Sequence, residues 1–281
     1  MVKFDNEQFD NVAELQEATN EYLKGNYETA FNKFCELAGE NNGRAMYFLG
    51  RFFGGISGVN VVKPVYEISS TWYKLGASRG DALAAWCAFC GTEDLTIEDF
   101  IDEYKDVIFE PVKTMAVEGD VFAQMEMFHA YYTGRWTEQN YDEAFKWCRK
   151  AAEAGNPDGM MYMGQCYESG FTGDKDDEEA CRWYLKAVKL NNTYAMLSLG
   201  RQYNYGRVVQ QNHDVAFTLY MRAAELGDHN AMYKLGNIYD ASEPDFGVEK
   251  NSGEAIRWYQ KAYDFGKGDF AKHKVEKLLK K

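Results

Sequence analysis

Proline is scarce in this chain: four residues in 281. Long helices therefore meet few interruptions, because proline removes a backbone donor and clashes with the preceding turn. Histidine is equally scarce, and the four, at 129, 213, 229 and 273, lie far apart. No apolar run approaches the roughly 18 residues of a membrane-spanning helix. The opening Met1-Val2-Lys3-Phe4-Asp5-Asn6-Glu7 is too polar and acidic for a signal peptide. Positive charge is in deficit as well, and the formal net charge is −13. Such a chain repels phosphate backbones and anionic lipid heads, which argues against nucleic-acid partners and membrane insertion. Six cysteines, at 35, 87, 90, 148, 166 and 181, have no regular spacing. The expectation is a reduced, cytoplasmic protein.

What the chain does have is aromatic residues: twenty Tyr, eighteen Phe and six Trp. They recur with a period. The segment Ala231-Met232-Tyr233-Lys234-Leu235-Gly236-Asn237-Ile238-Tyr239 has counterparts 36, 72 and 108 residues upstream, at Ala195–Tyr203, Gly159–Tyr167 and Ala123–Tyr131. Steps of 39 then reach the degenerate Ala84–Thr92 and the clear Ala45–Phe53. A second register follows each copy, as in Ala180-Cys181-Arg182-Trp183-Tyr184-Leu185-Lys186-Ala187, and Gly or Asn follows in turn. Ala, Trp or Tyr, and Ala fall at i, i+3, i+4 and i+7, one face of a helix. Gly or Asn stops the helix because the left-handed conformation costs them little.

Each unit is thus helix A, a loop, helix B and a turn. Helix A carries a central glycine, at 50, 164, 200 and 236. A mid-helix glycine costs about 1 kcal/mol against alanine, so its recurrence implies a close helix crossing. A single hairpin cannot bury its apolar face alone, and stacking on its neighbours solves this. The spacing predicts an all-α, right-handed α-solenoid of helix–turn–helix repeats. A capping hairpin occupies 1–43, six repeats span 44–268 with the second degenerate, and a C-terminal capping helix fills 269–281.

Leu-Gly-x-x-Tyr in helix A, the loop glycine and Ala-x-x-Trp-Tyr-x-Lys-Ala in helix B resemble the Sel1-like repeat family, a subclass of tetratricopeptide-like solenoids. The 36-residue step separates it from the 34-residue tetratricopeptide period. The opening hairpin, with Ala18, Gly25, Tyr27 and Ala30, is closer to the tetratricopeptide pattern. The second unit departs from the pattern: it lacks the glycine and has Thr92 at the aromatic position and Pro111 where helix B carries Trp. A distorted or lengthened loop is expected over 92–106. Secreted members of the family staple each hairpin with a disulfide, and the cysteines here do not recur in that way. The resemblance implies a scaffold that binds a protein or peptide through its concave A-helix face. It also brings two alternatives: an inhibitor or immunity protein for a partner enzyme, and a hydrolase of the beta-lactamase-like type attributed to some members.

Chemistry-bearing motifs find structural explanations. Cys87 and Cys90 form a C-x-x-C inside helix A of an all-helical array, whereas thioredoxin chemistry places that motif after a strand. Asp174–Glu179 lacks the glycine and terminal glutamate of a calcium loop and reads as an acidic helix start. Gly54-Gly55-Ile56-Ser57-Gly58 lacks the Lys-Ser/Thr of a phosphate loop. No catalytic residue, cofactor or metal is expected. For docking, the residue after the central glycine forms a mostly polar row: Arg51, Cys90, His129, Gln165, Arg201 and Asn237. Tyr132, Tyr162, Tyr205 and Lys234 lie on nearby turns. These are the candidate partner-binding residues, since Tyr and Arg are enriched at binding hot spots.

Overall fold

The computed structural model describes residues 11–55, 61–62, 64–90, 105–171, 173–207, 210–242 and 246–280. The irregular stretch expected over 92–106 falls mostly outside the described residues. Within them the protein is a right-handed α-solenoid of fifteen helices with no strand. The first hairpin is α1 (Val12–Leu23) and α2 (Tyr27–Gly39). Next come α3 (Gly43–Gly54) with α4 (Tyr66–Ser78), and α5 (Ala82–Cys90) with α6 (Glu110–Glu118). The regular pairs are α7 (Val121–Thr133) with α8 (Tyr141–Glu153), α9 (Pro157–Ser169) with α10 (Asp177–Lys189), and α11 (Thr193–Tyr205) with α12 (His213–Glu225). Then follow α13 (His229–Tyr239), α14 (Ser252–Ala262) and α15 (Gly268–Leu279).

Ten of the fifteen helices start on a capping side chain. Asn42, Asp120, Asn156, Asn192 and Asp228 each accept a hydrogen bond from a first-turn N–H of their A helix, and Asp81 does the same from Ala84 N at 2.7 Å. Asn140, Asp176, Asn212 and Asn251 do so for B helices. A cap of this kind contributes about 1 kcal/mol. The acidic run at 174–179 is therefore a capped helix start, with Asp176 accepting from Glu179 N at 2.9 Å. At the turns between units, Asn191 stands at φ 59° where its counterparts Gly155 and Gly227 stand at 96° and 93°.

The central glycines explain the packing. A Cβ placed on Gly50, Gly164, Gly200 or Gly236 would lie 2.4–2.5 Å from a ring carbon of Tyr73, Tyr184, Tyr220 or Tyr259 respectively. Each tyrosine belongs to the B helix of the same unit and is buried. Two units lack the glycine, and both lack the tyrosine as well. Phe128 is accompanied by Cys148, and Phe89 by Val112, at the corresponding positions. Large meets small in every unit, with the sizes exchanged in two of them, as close packing requires. In α6, Pro111 lies in the first turn, directly after a π-helical turn over Lys105–Phe109.

The superhelix closes on itself. Tyr27 Oη donates to Leu190 O at 3.0 Å, and Asn191 Nδ2 donates to Gly25 O at 3.3 Å. The tip of the first hairpin thus meets the turn between α10 and α11. Nearer the middle, the Tyr22 ring lies 5.5 Å from that of Phe122 on α7. On α3, Arg44 reaches both Asp81 (2.6 Å) and Asp120 (2.7 Å), the caps of the next two A helices. A helices therefore face one another across the interior, and B helices lie outside.

Candidate partner-binding site

Where α3, α7 and α9 converge, the inner face holds a cavity of about 400 Å³. Arg51, His129, Asp158, Tyr162, Gln165 and Tyr194 supply its polar lining, with Met125 and Met161 beside them. Three members of the polar row, Arg51, His129 and Gln165, are brought together here with Tyr162. Arg201 and Asn237 are elsewhere. The side chain of Cys90 lies outside the described residues.

Arg51 departs from the exposed row that its polarity suggests: it is only 4% exposed. Its Nη2 pairs with Asp158 Oδ2 at 2.8 Å, and Asp158 Oδ1 accepts from Asn192 Nδ2 at 3.0 Å. The guanidinium also lies 5.6 Å from the Phe122 ring centroid and 5.8 Å from that of Tyr47. Superhelical closure sets the last turn of α3 against the first turn of α9, which buries Arg51 as an internal bridge. A charge so enclosed needs its partner, because breaking a buried ion pair leaves an uncompensated charge.

The enclosure also sets protonation states. Burial, helped by the Arg51 charge, depresses the His129 imidazole to about 4, so it is neutral at pH 7. Its ring sits edge-on to Tyr162, with centroids 5.3 Å apart. Burial raises the carboxyl of Glu126, one turn before Ala130 on the same helix, to about 7. Arg51 and a hydrogen bond from Trp86 oppose that rise. The cavity thus offers a neutral His129 imidazole beside the Arg51–Asp158 ion pair, and Gln165 at its edge is exposed. Among the described residues, no group of three or more His, Cys, Asp or Glu is arranged to hold a metal ion.

The other candidates follow the solenoid away from the cavity. Arg201 is exposed and pairs with Glu168 at 3.0 Å; that carboxylate also accepts from Tyr184 Oη at 2.7 Å. Asn237 accepts from Tyr259 Oη at 2.7 Å. The Lys234 ammonium lies 5.5 Å from the Tyr220 ring centroid. Tyr205 is 56% exposed beside Arg207. Tyr132 stands on the loop edge of α7, in contact with Tyr141 and Phe171. Sequence reasoning did not single out Asp158, Tyr194, Tyr141 or Phe171. The polar row was read only one residue after each glycine, and Asp158 and Tyr194 lie in first turns, beyond that register.

Comparison with known proteins agrees with this architecture. A model of the Sel1 repeat matches residues 43–81, 121–156, 157–192, 193–228 and 229–264. It leaves unmatched the stretch where glycine and tyrosine are replaced by Phe89 and Val112. A Sel1 repeat protein from Oxalobacter formigenes is 25% identical, over 90% of this chain and 97% of that one, with a TM-score of 0.55. The protective antigen c5321 of uropathogenic Escherichia coli, which displays an SLR fold, is 23% identical over 95% of this chain and 56% of its own length, with a TM-score of 0.54. Comparison with curated proteins gives no match. No described helix is long and apolar enough to cross a membrane. With more than half of its length matched by one repeat model, the chain belongs to the Sel1 repeat family.

Proposed function

We propose that this protein is a scaffold that receives a protein or peptide partner on its inner, A-helix face, with the cavity at α3, α7 and α9 as the anchor point. Sel1 repeat proteins are in general scaffolds for protein interaction. The observation that carries the reading is the cavity itself. It is concave, sits among the A helices, and combines aromatic and apolar walls with a few convergent polar groups, the usual make-up of a recognition pocket. Tyr162, His129 and Gln165 are the direct contacts, and Arg51 with Asp158 forms the floor. Arg201, Tyr205, Lys234 and Asn237 extend the same face toward the C-terminus. No catalytic residue is assigned. A narrower form of the reading, in which the partner is an enzyme held inactive, is favoured by the net charge of −13, which suits a basic target.

The test is quantitative affinity capture from the native cell lysate, comparing wild type with Gln165→Trp. The exposed Gln165 tolerates a larger side chain, which then occupies the mouth of the cavity. A partner enriched by wild type and lost by a variant of unchanged melting temperature supports the reading. A partner held equally by both removes the cavity from it.

A further inference from the structure

Three aromatic rings meet on the loop edge of the solenoid. Tyr132 is in the last turn of α7, Tyr141 opens α8, and Phe171 follows α9. Their centroids are 5.9 Å (Tyr132–Tyr141), 5.3 Å (Tyr132–Phe171) and 4.8 Å (Tyr141–Phe171) apart. Yet Tyr132 and Tyr141 remain 44% and 46% exposed. The repeat supplies its own control. One period later the three positions hold Glu168, Asp177 and Arg207, and although Tyr27 and Tyr66 open their own helices as Tyr141 does, the fold does not call for three aromatic residues together there.

The surroundings are acidic on balance. Asp142 and Glu143 occupy the first turn of α8 beside Tyr141, and Asp174, Asp176 and Asp177 follow Phe171. Two lysines, Lys146 on Glu143 and Lys175 on Asp177, offset part of that charge and leave Asp142, Asp174 and Asp176 in excess. Elsewhere the chain seats its own cations on aromatic faces: Lys150 on Trp147 at 4.1 Å, Lys186 on Trp183 at 3.5 Å and Lys261 on Trp258 at 4.6 Å. Among the described residues, no cation of the chain sits over Tyr132, Tyr141 or Phe171.

We propose that this edge docks an arginine-bearing basic segment of a protein partner, with guanidinium planes stacking on the three rings and the acidic rim drawing the segment in. Arginine is favoured over lysine because its planar head group stacks and is more weakly hydrated. A large, rigid ring that stays exposed costs little conformational entropy when it is covered. The proposal lies outside the cavity and stands whether or not the cavity binds.

The test is a fluorescence-anisotropy titration of labelled peptides alternating Arg and Gly, or Lys and Gly, at physiological ionic strength. Wild type is compared with Tyr132→Leu/Tyr141→Leu/Phe171→Leu, and with Tyr66→Leu as a control exposed ring on α4. Melting curves check folding, and Tyr141→Leu alone replaces the triple variant if that does not fold. The expected result is tighter binding of the arginine peptide than of the lysine peptide. A roughly tenfold loss follows in the triple variant, or a twofold to fivefold loss in the single one, with none in Tyr66→Leu. Equal affinity of the two peptides together with equal binding by the leucine variants would overturn the proposal, as would no binding by wild type. Sedimentation of wild type as a dimer that the leucine variant abolishes would also overturn it, by making a second copy the occupant.

Discussion

Arg51 and Asp158 hold the inner face together from 107 residues apart, and the burial that encloses them sets the ionisation of Glu126 and His129. The consequence is a pair of opposed pH responses. Glu126 has a native value of about 7 against an ordinary 4.5, so it keeps its proton in the native state where the unfolded chain has lost it. Its contribution to stability is complete at low pH and is lost as the pH rises through about 7. His129 has a native value of about 4 against an ordinary 6.5, so it favours unfolding at low pH, and stability recovers as the pH rises from about 4 to 6.5. In the wild type the two slopes oppose each other over the overlapping range. The Glu126→Gln variant keeps only the histidine slope, so its melting temperature is expected to climb more steeply than wild type between pH 5 and 6.5. Parallel melting profiles would contradict this. At this scale the sequence was only partly legible. The polarity of position 51 signalled importance but not burial, because its partner lies three units further along and leaves no local trace.

Within each unit, the fit between helices A and B rests on one small and one large residue. Gly164→Ala places a methyl 2.4 Å from Tyr184 Cε1, and the ring is fully buried with little room to retreat. Overpacking of this kind costs about 1–3 kcal/mol, read as a lowered midpoint in urea denaturation. The chain's own exchange of sizes at Phe128 and Cys148 gives the second half of the prediction. Tyr184→Val is expected to recover part of the loss when combined with Gly164→Ala, less the lost hydrogen bond to Glu168. Additive losses in the double variant would show that the two positions do not share a packing site. This scale was the most legible in the sequence. A glycine recurring in mid-helix, and an aromatic recurring on one helical face, both report a close crossing without any structure. The caps at Asn42, Asp120, Asn156, Asn192 and Asp228 recur at the same steps and were open to the same reading.

Over the whole molecule, the first hairpin is clamped to the turn 165 residues away rather than stacked as a free end. Gly25 makes this approach. Its φ is +80°, and a Cβ there would lie 2.5 Å from Leu190 O. Gly25→Ala is therefore expected to loosen the closure, raising hydrogen exchange in α1 and α2 and increasing the radius of gyration while leaving α11–α14 unchanged. Unaltered exchange in α1 and α2 would mean the clamp is not a source of order. Closure was not legible in the sequence, because it depends on the small rotation between successive units, accumulated over several of them. Periodicity gives the unit and its neighbours, while the pitch comes from the sum. The same accumulation brings α3, α7 and α9 together and creates the cavity.

That cavity is the centre of the functional account, and photo-crosslinking in the native cell addresses it most directly. A photoreactive phenylalanine analogue is placed at Gln165, at the mouth of the cavity, or at Leu185, exposed on the B helix of the same unit. The account predicts a discrete protein adduct from position 165, absent or much weaker from 185. Adducts from 185 alone, or the same adducts equally from both, would place the working surface elsewhere on the solenoid.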